Sequence, residues 1–325
     1  MRALIIHNQR SGFGSNAIYE FQRALLEAGD EALMRCPATD FTPDQVLADA
    51  EDFDLVVLSG GDGTMASLLY ELRGRDVPTC VFPSGTSNLL FLNLGNAPEP
   101  ASIAAACREG RTIRSDLGEM SWTGANGERR TKGFCLMSGT GYDAEIMRTA
   151  AGNKQSMGEA AYFAAAVTNL KPTVSKFTIT VDGVTHVREG ISCIVANNAM
   201  IQNDIEVVPD NTMTDGMLDV IVLEGQQATD LLQPIAVALF DKTGKRRGRP
   251  RIESFRGRVV DVVSSEPIPL QIDGDPMADR VTSYHAETLC GVNRLIVDQV
   301  SHYAHEASAP IKDFPGAVEI PYPMA

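Results

Sequence analysis

Leu55-Val56-Val57-Leu58-Ser59-Gly60-Gly61-Asp62-Gly63-Thr64 is the stretch that sets the architecture. Four apolar residues in a row read as a buried strand. Three glycines and an aspartate follow, then Met65-Ala66-Ser67-Leu68-Leu69-Tyr70-Glu71-Leu72, which reads as a helix. A strand that turns on glycines into a helix presents bare backbone N–H groups at a helix start, where an anion is favoured. Glycine permits close approach and the backbone angles such turns need. Asp62 sits among these donors. A carboxylate beside a phosphate is repulsive unless a cation or a proton in transit lies between them. The stretch therefore points to nucleotide phosphates, a divalent metal and a proton to be moved. A glycine turn that serves only the chain path is the bland alternative.

Working outward, Ala3 to Ile6 reads as a first strand, followed by the polar loop His7 to Ser15 and a helix over Ala17 to Ala28. Glu31 to Cys36 reads as a second strand, and a helix is predicted from Thr42 to about Ala50. Thr79 to Phe82 is a further strand, followed by the turn Pro83-Ser84-Gly85-Thr86-Ser87-Asn88. Two glycine-bearing turns after successive strands fall on one edge of a parallel sheet, where open α/β proteins bind ligands.

Gly60-Gly61-Asp62-Gly63-Thr64 resembles the signature of the diacylglycerol kinase catalytic domain, shared with sphingosine kinases and bacterial lipid kinases. NAD kinases and phosphofructokinases carry related turns. Asn8, Ser11 and Gly12 resemble the family's first nucleotide loop, and Pro83 to Asn88 its second signature. The resemblance runs from about Arg2 to about Val297. It implies ATP held by Asn8, Ser11, Gly12, Gly60, Gly61, Gly63, Thr64, Thr86 and Asn88, with Thr39 a weaker match. The chain departs from the family at Gln9, Ala66, Ser67 and Leu89, where Pro, Asn, Glu and Asp are usual.

The second half changes character. Strand-like runs at Lys132 to Ser138, Lys176 to Val181, Ile191 to Ala196, Leu218 to Val222, Arg258 to Val263, Leu270 to Ile272 and Leu295 to Val297 read as an antiparallel β-sandwich. Asp182-Gly183 is a hairpin signal. Helices are predicted at Gly158 to Leu170 and Ala228 to Phe240. The fold expected is an N-terminal doubly wound α/β domain over 1–117, a β-sandwich substrate domain over 118–300, and a loosely ordered Pro- and Ala-rich tail over 301–325. Asp116 reads as a hinge or turn residue. Asp143, in a glycine-rich piece, is structural or touches substrate.

In the resemblance, the loop Pro209 to Val220 holds Mg²⁺ through the carboxylate matched by Asp215 and the carbonyls matched by Thr212 and Met217. The plain alternative is a tight turn. Asp273-Gly274-Asp275 resembles the family's Asp-Gly-Glu, with Asp275 in the place of the Glu. Asp62, Asp273 and Asp275 are thus the candidates to orient or deprotonate the acceptor hydroxyl.

The chain has 325 residues, 44% hydrophobic and 22% charged, with a net charge of −14 and a pI near 4.8. That acidity argues against nucleic acid and against indiscriminate adhesion to anionic membranes. Six cysteines without a CxxC pair read as reduced cytoplasmic thiols. No signal peptide is read at the start, and no apolar run nears the about 20 residues of a spanning helix. A lipid substrate would then be met by peripheral visits to the membrane surface. Lys242 to Arg251 is a basic island, either membrane-facing or a solvated loop. A homo-oligomer is compatible with all of this. The reading is an ATP-dependent lipid kinase. The alternatives are a NAD kinase-type enzyme and a non-catalytic lipid- or nucleotide-binding relative.

Overall fold

The computed structural model describes residues 1–11, 16–37, 41–151, 171–201, 205–227, 230, 237, 240–245 and 248–308. Two units emerge: Met1–Ser115 together with the stretch from Gly291, and Asp116–Cys290.

The first unit is a parallel sheet flanked by helices. Its strands are β1 (Arg2–His7), β2 (Glu31–Arg35), β3 (Leu55–Gly60) and β4 (Pro78–Pro83). β1 pairs in parallel with both β2 and β3, and β3 pairs in parallel with β4. Strand order therefore reverses at β1, the doubly wound arrangement. Leu55 to Leu58 and Ala3 to Ile6 are fully buried, as continuous apolar runs in a two-sided sheet should be. The helices are α1 (Ala17–Glu27), α2 (Pro43–Val46), α3 (Asp62–Leu72), α4 (Leu89–Leu94) and α5 (Pro100–Glu109). α1 buries Ile18, Phe21 and Leu25, one face of a 3.6-residue period. The helix predicted to run to Ala50 stops at Val46, and a separate 3₁₀ turn covers Ala50–Asp52.

The last strand returns to this unit, with Arg294 and Leu295 pairing in parallel against Pro78 and Thr79 of β4. The chain then continues as packed turns to Ser308, not as the loose tail expected from residue 301. Asp298 accepts N–H bonds from Ala97, Val300 and Ser301 at 2.7, 3.0 and 2.9 Å. Ser301 Oγ donates to Leu94 O, Ser308 N donates to Thr112 O, and Tyr303 is buried. Residues 309–325 lie outside the described set.

The second unit is antiparallel. Its elements are β5 (Thr112–Thr123), β6 (Arg129–Phe134), β7 (Met137–Gly141), α6 (Tyr142–Ala151), β8 (Ser175–Val181), β9 (Val184–Gly190) and β10 (Ser192–Ala196). After them come β11 (Met200–Ile201), β12 (Ile205–Glu206), β13 (Leu218–Leu223), β14 (Ile252–Gly257), β15 (Val259–Ile272) and β16 (Asp275–Ile296). Two of these, β5 and β16, begin or end in the first unit.

β15 explains the sandwich. Val260 to Ser264 pair with β8, whereas Leu270 to Ile272 pair with β7. Register shifts against β16 fall between, around Pro267 and Pro269. Prolines cannot donate to the ladder, so the strand bulges and changes sheets there. Phe134, Phe177, Ile179, Val195, Val220, Val262, Leu270 and Tyr284 fill the core between the layers. Asp182 and Gly183 take φ 47° and 84°, closing the β8–β9 hairpin as its Asp-Gly pair demands.

The single strand predicted over Lys132 to Ser138 is two strands, broken at Cys135-Leu136, where the amides turn to a carboxylate described below. The helix predicted over Gly158 to Leu170 lies outside the described residues, as does most of Ala228 to Phe240. Among the described residues no helix is long and apolar enough to cross a membrane. None of the six cysteines is in a disulfide. Burial pushes the Cys193 thiol up to about 12.

Candidate functional site

The loops after β1, β3 and β4 gather at the carboxyl ends of the parallel strands, where strand order reverses. Asn8 N donates to Ser59 O at 2.8 Å, continuing the β1–β3 ladder by one rung. Its side-chain Nδ2 donates to Thr64 Oγ1 at 3.0 Å, and its Oδ1 accepts from Arg10 N at 3.1 Å. Ser11 Oγ accepts from Gly61 N at 3.0 Å. The first loop is thereby tied to the glycine turn at two points. Gly12 and Thr39 lie outside the described residues.

The two glycine turns touch backbone to backbone. A Cβ on Gly85 would lie 2.7 Å from Gly61 Cα, closer than any side chain tolerates. One on Gly60 would lie 2.9 Å from Thr64. Asn88, at φ 48°, folds back over its own turn. It accepts from Gly85 N at 2.7 Å and donates to Gly85 O at 2.8 Å. Thr86 is exposed at the tip. α3 opens at Asp62, so the amides of Gly63 and Thr64 belong to its first turn and have no partner within the helix.

Asp62 reaches across to the other turn. Its Oδ2 accepts from Leu89 N and its Oδ1 from Leu90 N, both at 3.1 Å. Burial pushes this carboxyl above its usual range, and the two amides pull it partly back. Leu89, one of the departures, thus contributes its amide rather than its side chain. Ala66 faces the core, and Ser67 Oγ donates to Gly63 O at 3.0 Å.

Three polar groups that the motifs do not flag lie beneath these loops. His7 Nδ1 sits 2.8 Å from Ser59 Oγ, which sits 2.6 Å from Ser84 Oγ. Burial lowers the His7 pKa, favouring the neutral ring. The signal available in sequence is a polar residue at the end of each otherwise apolar strand.

In the second unit the acidic candidates occupy different settings. Asp273, at φ 48° in the β15–β16 turn, is buried. It accepts from Cys135 N at 2.8 Å, Leu136 N at 3.0 Å and Met137 N at 2.9 Å. Both of its oxygens hold the break between β6 and β7. Asp275 is 59% exposed, and among the described residues its carboxylate meets Lys132 Nζ at 3.9 Å. Gln271 steadies the same turn, accepting from Gly274 N at 2.8 Å and donating to Asp143 Oδ2 at 2.9 Å. Burial pushes the Asp143 carboxyl up. Gly139 makes room for it, since a Cβ there would fall 1.7 Å from Asp143 Oδ2.

The 209–219 loop is held by Asp116, a β5 residue at which the second unit begins. Asp116 Oδ2 accepts from Gly216 N at 2.6 Å, and Asp116 N donates to Met213 O. Gly216 needs its φ of 72°, and a Cβ there would also press on Cys290 Sγ at 3.1 Å. Asn197 joins this loop to the other, donating to Asp116 O at 3.1 Å and Cys135 O at 3.0 Å.

Thr212, Asp215 and Met217 do share this loop. Asp215 Oδ1 accepts from Met217 N at 2.9 Å, and Oδ2 faces Arg256 Nη1 at 3.7 Å. Thr212 Oγ1 lies 3.0 Å from Thr214 Oγ1. Among the described residues no three His, Cys, Asp or Glu side chains gather as a metal cluster. A guanidinium already faces Asp215, the carboxylate assigned to the ion, so the residues do not fit a resident Mg²⁺. In the basic island, Lys245 pairs with Asp210, Arg249 binds the carbonyls of Glu206, Asp241 and Lys242, and Arg251 pairs with Asp230. Those three cations are paired within the chain, and Arg246 and Arg247 lie outside the described residues.

Residues 2–120 match the diacylglycerol kinase catalytic domain, and residues 137–292 match the YegS C-terminal NAD kinase beta sandwich-like domain. The chain is 28% identical to a diacylglycerol kinase of Bacillus subtilis, over 84% of this chain and 89% of that one. It is 26% identical to a probable lipid kinase YegS-like of Stenotrophomonas maltophilia, over 78% and 82%. A match to an uncharacterized Synechocystis protein, 25% identical, covers 70% of this chain and 52% of that one. A putative diacylglycerol kinase from Bacillus anthracis superposes with a TM-score of 0.70 at 20% identity, covering 91% and 95%. That likeness concerns the fold.

Proposed function

We propose that this chain, which belongs to the diacylglycerol kinase catalytic domain family, transfers the γ-phosphoryl group of ATP to a hydroxyl of a diacylglycerol-like or sphingoid lipid met at the membrane surface. The observation that carries the reading is the contact of the two glycine turns, with Gly85 and Gly61 backbone against backbone. Such a corner lets a phosphate chain reach main-chain N–H groups that any side chain would screen. Phosphoryl transfer asks a protein for positioning and charge stabilisation more than for covalent chemistry. Gly60, Gly61, Gly63 and Thr64 would cradle the phosphates. Asn8, Ser11, Gly12, Thr86 and Asn88 would hold the remainder of the nucleotide. Asp62 would keep the second turn in register with the first, through the amides of Leu89 and Leu90.

Magnesium belongs to the substrate, arriving as the counter-ion of the triphosphate. In the reaction, the lipid hydroxyl oxygen bonds to the γ-phosphorus, the bond to the β-phosphate oxygen breaks, and ADP leaves. The hydroxyl proton goes to a carboxylate. We assign it to Asp275, because Asp62 and Asp273 have both oxygens bound by amides. General-base catalysis of this kind is worth about 10²–10⁴-fold.

The test is transfer of label from [γ-³²P]ATP to diacylglycerol and sphingosine in mixed micelles, with NAD⁺ as a parallel acceptor. Label in a lipid is the expected outcome. Label in NAD⁺ supports the NAD kinase alternative and overturns the proposal. ATP-dependent thermal stabilisation without transfer to any acceptor supports a non-catalytic binder, and equally overturns it.

A further inference from the structure

The loop over 209–219 carries three carboxylates, Asp210, Asp215 and Asp219, within one turn of chain. Left to themselves they repel, and Asp219 is buried at 3% exposure. A divalent cation is one way to hold such a loop. Arginine is another, and Arg256 reaches all three positions from the neighbouring strand.

The placement is built into the sheet. Asp219 on β13 and Arg256 on β14 are direct cross-strand partners. The guanidinium grips Asp219 with two parallel bonds, Nε to Oδ1 and Nη2 to Oδ2, each 2.9 Å. This fork-to-fork geometry is the strong and directional form of an arginine–carboxylate pair. Nη2 also donates to Asp210 O at 3.3 Å, and Nη1 lies 3.7 Å from Asp215 Oδ2. Asn211 Nδ2 adds a third donor to Asp219, at 2.7 Å, while its Oδ1 accepts from Ala199 N. Lys245 Nζ meets Asp210 Oδ1 at 2.6 Å. The two cations and three carboxylates leave the cluster one negative charge from neutral.

We propose that Arg256 is the permanent counter-cation of this loop, standing where a divalent metal would otherwise be needed, so that the folded chain is indifferent to Mg²⁺ in the absence of nucleotide. A metal at Asp215 would have to share an oxygen already facing a guanidinium. The repulsion between the two cations opposes loading. The inference concerns the loop alone and does not depend on which acceptor the enzyme uses.

The experiment is thermal unfolding of the full chain, free of nucleotide, in EDTA and in millimolar MgCl₂. The unaltered protein is expected to melt at the same temperature in both. Arg256→Gln is expected to melt about 5 °C lower in EDTA and to recover part of that in MgCl₂, because the exposed carboxylates then gain by binding the ion. A rise with Mg²⁺ in the unaltered protein that Asp215→Asn abolishes would overturn the proposal. So would an Arg256→Gln variant that ignores Mg²⁺. Should Arg256→Gln not fold, Mn²⁺ serves as a paramagnetic probe of the unaltered chain. Absence of a stoichiometric bound ion upholds the proposal, and a bound ion lost in Asp215→Asn sinks it.

Discussion

Asp273 and Asp275 stand two residues apart in one turn, yet their substitution to asparagine should give opposite phenotypes. Asp273 accepts three backbone N–H bonds, from Cys135, Leu136 and Met137. An asparagine there keeps one acceptor oxygen, which can retain the Leu136 and Met137 bonds. Its NH₂ group then faces Cys135 N, donor against donor. One charge-assisted bond is lost, worth about 1.5–3 kcal/mol, and two others are weakened from charged to neutral. The total is about 2–4 kcal/mol, or a melting temperature about 5–15 °C lower for units of this size. Asp275→Asn touches only the 3.9 Å contact with Lys132 at an exposed position. Its stability should stay within about 0.5 kcal/mol, while kcat on the lipid falls about 10²–10⁴-fold. Differential scanning fluorimetry and initial-rate kinetics on the two purified variants decide the matter. An Asp273→Asn protein as stable as the parent but inactive would make Asp273 the base. An Asp275→Asn protein of full turnover would refute the assignment of Asp275.

Gly85→Ala should raise KM for ATP at least tenfold with little change in melting temperature, since its Cβ meets Gly61 Cα in an open turn rather than in the core; unchanged nucleotide affinity by titration calorimetry would count against the contact. Asp62→Asn leaves a single acceptor for Leu89 N and Leu90 N and should cost about 1–3 kcal/mol. A rise in KM for ATP larger than the fall in kcat would mark Asp62 as a positioning group, and the reverse pattern would return it to the chemistry. The Asp143 carboxyl is held above its ordinary value by burial, so the folded state binds its proton more tightly than the unfolded chain does. Stability from this source is present below the unfolded value and is lost as pH rises through the folded one. Asp143→Asn should therefore flatten the decline in melting temperature between the ordinary carboxylate range and neutrality; parallel curves for the two proteins would remove Asp143 as its source.

Much of the first unit is legible because its signals are local. The buried run Leu55 to Leu58 and the glycines after it dictate strand, turn and helix within ten residues, and the Pro83 to Asn88 turn repeats the logic. The candidate site was harder, because an aspartate's role depends on what meets its oxygens. Asp62, Asp273 and Asp275 look alike as letters. Only the amides of Leu89 and Leu90, and those of residues 135–137, distinguish the first two from the third. Arg256 carries no motif at all, since it acts across a strand pair 37 positions from Asp219. β14 and the first part of β16 escape periodicity because each has one wetted face and many polar side chains, and β5 because it buries Thr112, Ser115, Asp116 and Ser121 among its apolar residues. The tail misleads through composition: Ser301, and Asp298 just before it, are held by hydrogen bonds to Leu94 and Ala97, far back in the chain.

The return of residues 291–308 to the first unit has a consequence for biosynthesis. A ribosome releases the chain from its amino end, so β4 emerges more than two hundred residues before Arg294 and Leu295 arrive to cover its edge. Asn293 must likewise arrive before Leu69 O gains its 3.0 Å partner. For that interval the nascent first unit carries an open strand edge, the feature that invites mispairing with other chains. The β-rich unit is translated whole within the same interval, so the half begun first is the half completed last.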